Sequence, residues 1–192
     1  MKVELNTNVV DSITPDTYGT GFQYEIREDC AEDLKQGMID IAERYLTDLL
    51  SETDFADAKL TMKDFYSPRE YNFTTDDIGF ELEFNDSKLD DIAEFVEADI
   101  KGDREFVNWL KERYKSYDGF ICTMPNSYGQ FMDCLNGKDS EYYQWRAIAA
   151  FISYQIQDVM DLEKVQRDYI EDIWEYGNQN GLWIDEDEEE CI

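Results

Sequence analysis

Residues 59–85 have the sequence KLTMKDFYSPREYNFTTDDIGFELEFN, which is the longest segment with the pattern of a β-hairpin. In its second half apolar residues alternate with polar or small ones, and the apolar members are Ile78, Phe80, Leu82 and Phe84. Period-two alternation predicts a strand with one buried face and one solvated face. The first half is expected to pair with that strand, so this hairpin is the element on which the rest of the fold is built.

The net charge is the most unusual property of the chain. Its 192 residues include 46 acidic and 17 basic side chains and no histidine, giving a formal net charge of −29. A hydrophobic content of 42%, with 15% aromatic residues, is enough for a folded core. Repulsion from phosphate excludes direct binding of nucleic acid or anionic membranes and favours partners with basic surfaces. A halophilic origin fits less well, because the chain is rich in large aromatic residues.

Most of the remaining chain has helical periodicity. Apolar residues three and four positions apart predict helices over residues 31–50, 86–100, 103–117, 141–159 and 162–176, with a short one near 131–135. Strands are predicted over residues 2–10, 20–26 and 182–184, and the last long helix is expected to end at Gly177. We therefore expect one α+β domain over residues 1–184, with a small antiparallel sheet packed against about five helices. Residues 185–192, which begin with six acids, are predicted to form an acidic tail.

No signal for targeting or membrane insertion is present. The N-terminal MKVELNTNVVDS lacks an apolar stretch, and no window approaches the run of about 18 apolar residues that a span requires. The cysteines, which lack CxxC spacing and therefore favour reduced thiols over a zinc site, are Cys30, Cys122, Cys134 and Cys191. We expect a cytoplasmic protein without a cofactor, and the sequence does not decide between a monomer and a dimer.

Catalytic patterns are scarce. Without histidine there is no Ser-His-Asp or Cys-His pair, and no glycine-rich phosphate loop occurs. The remaining candidates are carboxylates on or beside the second hairpin strand, namely Asp76, Asp77, Glu81 and Glu83. Residues two apart on a strand share a face, so this group is one hypothesis for a Mg²⁺ or Ca²⁺ site in an enzyme or a binding module. We favour a solvated acidic face without enzymatic activity.

Acids also follow the outer faces of two predicted helices. On helix 86–100 they are Asp90, Asp91, Glu94, Glu97 and Asp99, and on helix 31–50 they include Asp40, Glu43 and Asp48. Between residues 76 and 99 the only base is Lys88, so no neighbour in the sequence neutralises this segment. A helix rises about 1.5 Å per residue, so carboxylates one turn apart have spacings comparable with those of DNA phosphates. With the strand as an acidic sheet edge between them, the helices are predicted to form one extended negative surface.

Residues 66–78, YSPREYNFTTDDI, resemble a motif S-P-(K/R)-x-Y-N-(F/Y)-x-x-D of uncharacterised phage and mobile-element proteins. The small size, strong acidity and α+β pattern also resemble those of phage antirestriction and anti-CRISPR proteins that act as DNA mimics. This resemblance implies an inhibitor that binds the basic nucleic-acid cleft of a bacterial defence or DNA-processing protein, and no functional residue carries over from it. A soluble adaptor that binds through aromatic residues is a further alternative.

Overall fold

The structure is a computed structural model that describes residues 1–6, 22–64, 78–113, 133–138, 141–159 and 161–184. It contains a three-stranded antiparallel sheet and a larger number of helices, which confirms the predicted α+β class. The 66–78 motif, apart from its last residue, and the acidic tail lie outside the described residues. Among the described helices, none has the length and apolar character needed to cross a membrane.

The sheet consists of β1 (Lys2–Asn6), β2 (Lys59–Asp64) and β3 (Ile78–Glu83) in the order β1-β3-β2. Both outer strands run antiparallel to β3, and Leu82 lies opposite Val3 on one side and Leu60 on the other. This register confirms the pairing predicted for the hairpin. It corrects one expectation, because β3 is the central strand of the sheet and not an acidic edge.

The long helices lie close to their predicted positions. They are α2 (Ala31–Ser51), α3 (Ser87–Lys101), α4 (Glu105–Arg113), α5 (Glu141–Val159) and α6 (Leu162–Asn180), and α2 is preceded by a 3₁₀ turn over Glu28–Cys30. Helix α4 begins two residues later than predicted, and its predicted last turn lies outside the described residues. Residues 133–135 form a helical turn inside the predicted short helix.

The strand predicted over residues 20–26 is wrong for residues 22–25, and residues 20 and 21 lie outside the described part of the chain. Phe22–Glu25 is a short helix, α1, and the backbone N–H of Ile26 donates to the carbonyl of Phe22 at 3.1 Å. Phe22 and Ile26 are both buried, and their four-residue spacing places them on the same side of a helical turn. The strand predicted over 182–184 is correspondingly reduced to a single antiparallel bridge between Trp183 and Ile26.

Helix α6 also runs further than predicted. It ends at Asn180 and is capped by Gly181, whose backbone has a left-handed φ of 64°. The backbone N–H of Leu182 donates to the carbonyl of Gly177 at 2.9 Å. Gly177 is therefore inside the helix and does not terminate it. A Cβ at that position would lie 2.2 Å from Cε2 of Trp183, so the glycine allows the indole ring to pack on the helix backbone.

Two hydrophobic clusters form the core. The larger joins the sheet, the C-terminal half of α2, α3, α4 and α5, and the smaller joins α1, the N-terminal half of α2 and α6. Residues 147–153 of α5 are all buried, so this helix lies in the core along much of its length. Leu46, Leu49 and Leu50 belong to the same cluster as Ile92 and Val96, so one core holds the end of α2 and the inner face of α3.

Candidate functional site: an acidic groove lined by aromatic rings

The solvated face of the sheet contains both signs of charge. Glu83 lies opposite Lys2 on one side and Lys59 on the other, and Lys2 Nζ donates to Glu81 Oε1 at 2.9 Å. Lys2 Nζ also lies 3.6 Å from Glu83 Oε2. The hydrogen bond to Glu81 and the two negative charges raise the pKa of Lys2 above its ordinary value. Lys2, which is distant in sequence, thus offsets part of the negative charge of Glu81 and Glu83.

The structure separates the five predicted acids of α3. Asp90, Asp91 and Glu94 are exposed and make no ion pair or side-chain hydrogen bond within the described part of the chain. Glu97 forms an ion pair with Lys101, one helical turn further on. The solvent-facing charge of α3 therefore comes mainly from the three acids in its first half.

Asp99 has a structural role. Its Oδ1 accepts the backbone N–H of Phe106 at 3.0 Å and its Oδ2 accepts that of Val107 at 3.1 Å. These two groups are the second and third backbone N–H groups of α4, and they have no acceptor inside their own helix. Arg104, which precedes α4, has a left-handed φ of 61° and donates its backbone N–H to the Asp99 carbonyl at 3.0 Å.

The acids predicted on α2 are all exposed. Asp40 Oδ1 accepts a hydrogen bond from Gln36 Nε2 at 2.7 Å, and Glu43 and Asp48 form no ion pair within the described residues. Helix α2 packs on α6, where the carboxylate of Asp172 binds the guanidinium of Arg44 and accepts the Tyr45 hydroxyl at 2.9 Å. Arg44 lies one helical turn from both Asp40 and Asp48, so the exposed face of α2 contains one cation among its acids.

The hypothesis of a metal site receives no support from the described residues. They contain no group of three or more candidate ligands arranged to hold an ion. Of the four proposed ligands, Asp76 and Asp77 lie outside the described residues, and Glu81 is hydrogen-bonded to Lys2.

A groove of about 580 Å³ lies where the loop after α2 meets α3, α4 and α5. Five carboxylates and two aromatic rings line it, and none of its described lining residues is basic. The acids are Glu52, Asp54, Asp99, Asp103 and Glu105, and the rings belong to Phe95 and Tyr154. Concave shape, unbalanced negative charge and exposed aromatic surface occur together in this groove.

The aromatic wall of the groove is packed against the core. Phe95 is 36% exposed, although it packs edge-on against Phe151 with ring centroids 5.1 Å apart and against Phe106 at 6.0 Å. The Tyr154 ring lies 6.1 Å from that of Phe95 at an interplanar angle of 55°. The two rings form a corner supported from beneath by the core, with an apolar surface turned to solvent.

The opposite wall is held by polar contacts. Gln155 exchanges two hydrogen bonds with Asp54, one of them from the Asp54 backbone N–H to Gln155 Oε1 at 3.2 Å. Lys88 Nζ donates to the Asp54 carbonyl at 2.5 Å and lies 3.2 Å from Asp57 Oδ1. The only base in residues 76–99 therefore fixes the loop and is not available to neutralise α3.

The groove carboxylates differ in availability. Asp54 and Asp99 accept hydrogen bonds from the protein itself, whereas Glu52, Asp103 and Glu105 are exposed and have no side-chain partner among the described residues. Reasoning from sequence missed the groove because its walls come from four separate segments. One signal was present, since Phe95 lies off the apolar stripe of α3 and among its acids.

Comparison of the chain with protein-family models, curated proteins and solved structures finds no significant match to any of them.

Proposed function

We propose that the protein is an inhibitor that binds the basic nucleic-acid cleft of a bacterial defence or DNA-processing protein in place of DNA. The observation that carries this proposal is the first half of α3, where Asp90, Asp91 and Glu94 are exposed and without cationic partners in the described structure. Acids on an ordered helix keep their spacing, unlike acids in a flexible tail, and so they attract a fixed row of Lys and Arg.

The scaffold supports this use of α3. Ile92 and Val96 are each 1% exposed, so the inner face of the helix is locked into the larger core while its acids face outward. Through the groove, the acidic surface continues from α3 to the start of α4 and the end of α2. Rigid presentation matters because ordering a flexible segment on binding would reduce the affinity.

The proposed contact surface differs from the one predicted from sequence. It centres on Asp90, Asp91, Glu94 and the groove, and it omits Glu81 and Glu83, which share the cation Lys2. Asp40, Glu43 and Asp48 of α2 form a second candidate patch, exposed on a helix whose C-terminal half shares a core with α3.

The experiment is affinity capture from a bacterial lysate, with elution by a NaCl gradient and identification of the captured protein by mass spectrometry. The captured protein is then tested for displacement by a double-stranded DNA oligonucleotide. Competition by DNA is expected because both ligands would occupy one basic cleft, and affinity is expected to fall steeply with salt. Retention of the captured protein in the presence of saturating DNA would refute the proposal.

A charge-matched pair of variants locates the surface. The first combines Asp90→Asn, Asp91→Asn, Glu94→Gln and Glu97→Gln, and the control combines Glu28→Gln, Asp33→Asn, Glu171→Gln and Glu175→Gln at exposed positions elsewhere. Both remove four negative charges, so both weaken long-range attraction equally. Only the first is expected to lower affinity further, by about ten-fold or more. Equal losses in the two variants would show that net charge alone, and not α3, governs binding.

A further inference from the structure

We propose that the groove between α3, α4, α5 and the loop after α2 binds an arginine side chain inserted by a basic partner. The inference rests on the proposed function, because it names the group of the partner that the acidic surface receives. It concerns the groove in particular, whose shape and aromatic wall set it apart from the convex face of α3.

The aromatic corner suits a guanidinium group. Phe95 exposes 36% of its surface in a molecule whose described residues include only one other exposed large hydrophobic side chain, Ile184. A planar guanidinium is weakly hydrated and stacks on aromatic faces, so it loses less on leaving water than an ammonium group does. The corner between the Phe95 and Tyr154 rings therefore favours arginine over lysine.

The carboxylates supply the complementary charge. Asp103 and Glu105 stand at the start of α4 and Glu52 at the end of α2, and all three line the groove without a side-chain partner in the described structure. A carboxylate accepts two parallel N–H groups from one guanidinium, which gives direction as well as attraction. With Asp54 and Asp99 already accepting the protein's own donors, the remaining negative charge of the groove is available to an entering cation.

The size of the groove favours a side chain over a bare ion. Its volume of about 580 Å³ is in the range of pockets that hold small organic ligands. The described residues contain no group of three or more candidate ligands placed to hold a metal ion. An arginine with its neighbouring backbone fills such a space better than a hydrated divalent ion.

The test is an NMR titration of the protein with N-acetyl-arginine amide, following the aromatic signals of Phe95 and Tyr154. The neutral isostere N-acetyl-citrulline amide is the control ligand, because it keeps the shape and removes the charge. We expect saturable shifts with the arginine compound, weaker shifts with N-acetyl-lysine amide and none with the citrulline compound. Equal shifts from arginine and citrulline, or no saturable shift of these rings, would overturn the inference.

Variants connect the shifts to the groove. Asp103→Asn with Glu105→Gln is expected to weaken arginine binding about five-fold, whereas Glu171→Gln with Glu175→Gln, which removes the same charge from α6, leaves it nearly unchanged. Phe95→Leu is expected to remove the preference for arginine over lysine. An unchanged affinity of the Asp103/Glu105 variant would also overturn the inference, and that variant removes no packing contact.

The same assay separates this inference from the proposed function, because it needs no partner protein. Arginine binding in the groove without DNA-competitive capture would refute the function and leave the groove assignment standing. If the Asp103/Glu105 variant still captures the partner in competition with DNA at full affinity, the function is supported. The same result would refute the proposal that an arginine of the partner binds in the groove.

Discussion

The carboxylate of Asp99 accepts the backbone N–H of Phe106 at 3.0 Å, so a side chain near the end of α3 caps the start of α4. The residue before α4, Arg104, has no acceptor in its side chain and cannot perform this task. Asp99 thereby fixes the turn that forms one side of the groove.

Replacing Asp99 by Ala is expected to lower the free energy of unfolding by about 1 kcal/mol, the usual value of a helix N-cap. Urea denaturation measures the change. Asp103→Ala is the matched control, because Asp103 is exposed in the same turn and makes no side-chain hydrogen bond in the described structure. If both variants lose the same stability, the cap contributes no more than the general effect of a negative charge near the helix start.

Gly177 allows close packing inside α6. Replacing glycine by alanine inside a helix ordinarily stabilises the folded protein by up to about 1 kcal/mol. Here the alanine Cβ would lie 2.2 Å from the Trp183 ring. That ring cannot easily move, because its Nε1 donates to the Trp174 carbonyl at 3.2 Å and it stacks on Phe22. Gly177→Ala is therefore expected to destabilise the protein by about 1–3 kcal/mol, as measured by thermal unfolding.

The control for this variant is Gly181→Asn. A Cβ at Gly181 meets nothing within 4 Å, and asparagine tolerates the left-handed conformation found there. A melting temperature of the Gly177→Ala protein at or above that of the Gly181→Asn protein would contradict the packing argument.

The hydroxyl of Tyr45 is expected to make the stability of the protein depend on pH in the alkaline range. Burial, followed by the hydrogen bond to Asp172 and its negative charge, raises the pKa of Tyr45 from 10.0 to about 12. A raised pKa in the folded state means that the stabilisation is complete below pH 10 and disappears as the pH rises through about 12. Tyr45→Phe, which has no titrating hydroxyl, is expected to lose less stability over this interval in urea denaturation series. The prediction fails if the wild-type and variant curves run parallel.

Lys88 joins α3 to the loop after α2 through the Asp54 carbonyl and Asp57. Lys88→Met is expected to cost about 1 kcal/mol and to speed hydrogen exchange at the backbone amides of residues 53–58, since the loop loses a charged donor. Lys59→Met is the control, because Lys59 is exposed and makes no ion pair in the described structure. Equal exchange rates in this loop for the two variants would rule out the tether.

The excess of negative charge predicts a salt dependence of stability. With 46 acids and 17 bases, the folded chain is under strong self-repulsion, and added salt screens it within about 10 Å at 0.1 M. The melting temperature is expected to rise by several degrees between low salt and about 0.5 M NaCl. A melting temperature that is unchanged or lower at high salt would show that the acids are already balanced within the fold.

Local patterns in the sequence predicted the elements of the fold well. The three- and four-residue spacing of apolar side chains located α2, α3 and α5, and the alternation before Phe84 located β3. Errors arose where one pattern has two readings. The spacing of Phe22 and Ile26 is compatible with a strand and with a helical turn. Gly177 is compatible with a helix end and with a close packing contact, and only the position of Trp183 distinguishes these two roles.

The chain's excess of negative charge and the helices that display it follow from the sequence alone, because helical periodicity assigns each acid to a face. Which acids remain unneutralised is a property of the tertiary structure. Lys2 reaches Glu81 only because β1 pairs with β3, and Asp99 caps α4 only because the intervening turn reverses the chain. The groove beside Phe95 likewise arises from four segments brought together by the core. Periodicity identifies the face on which a side chain lies, whereas its neighbours depend on contacts between residues distant in sequence.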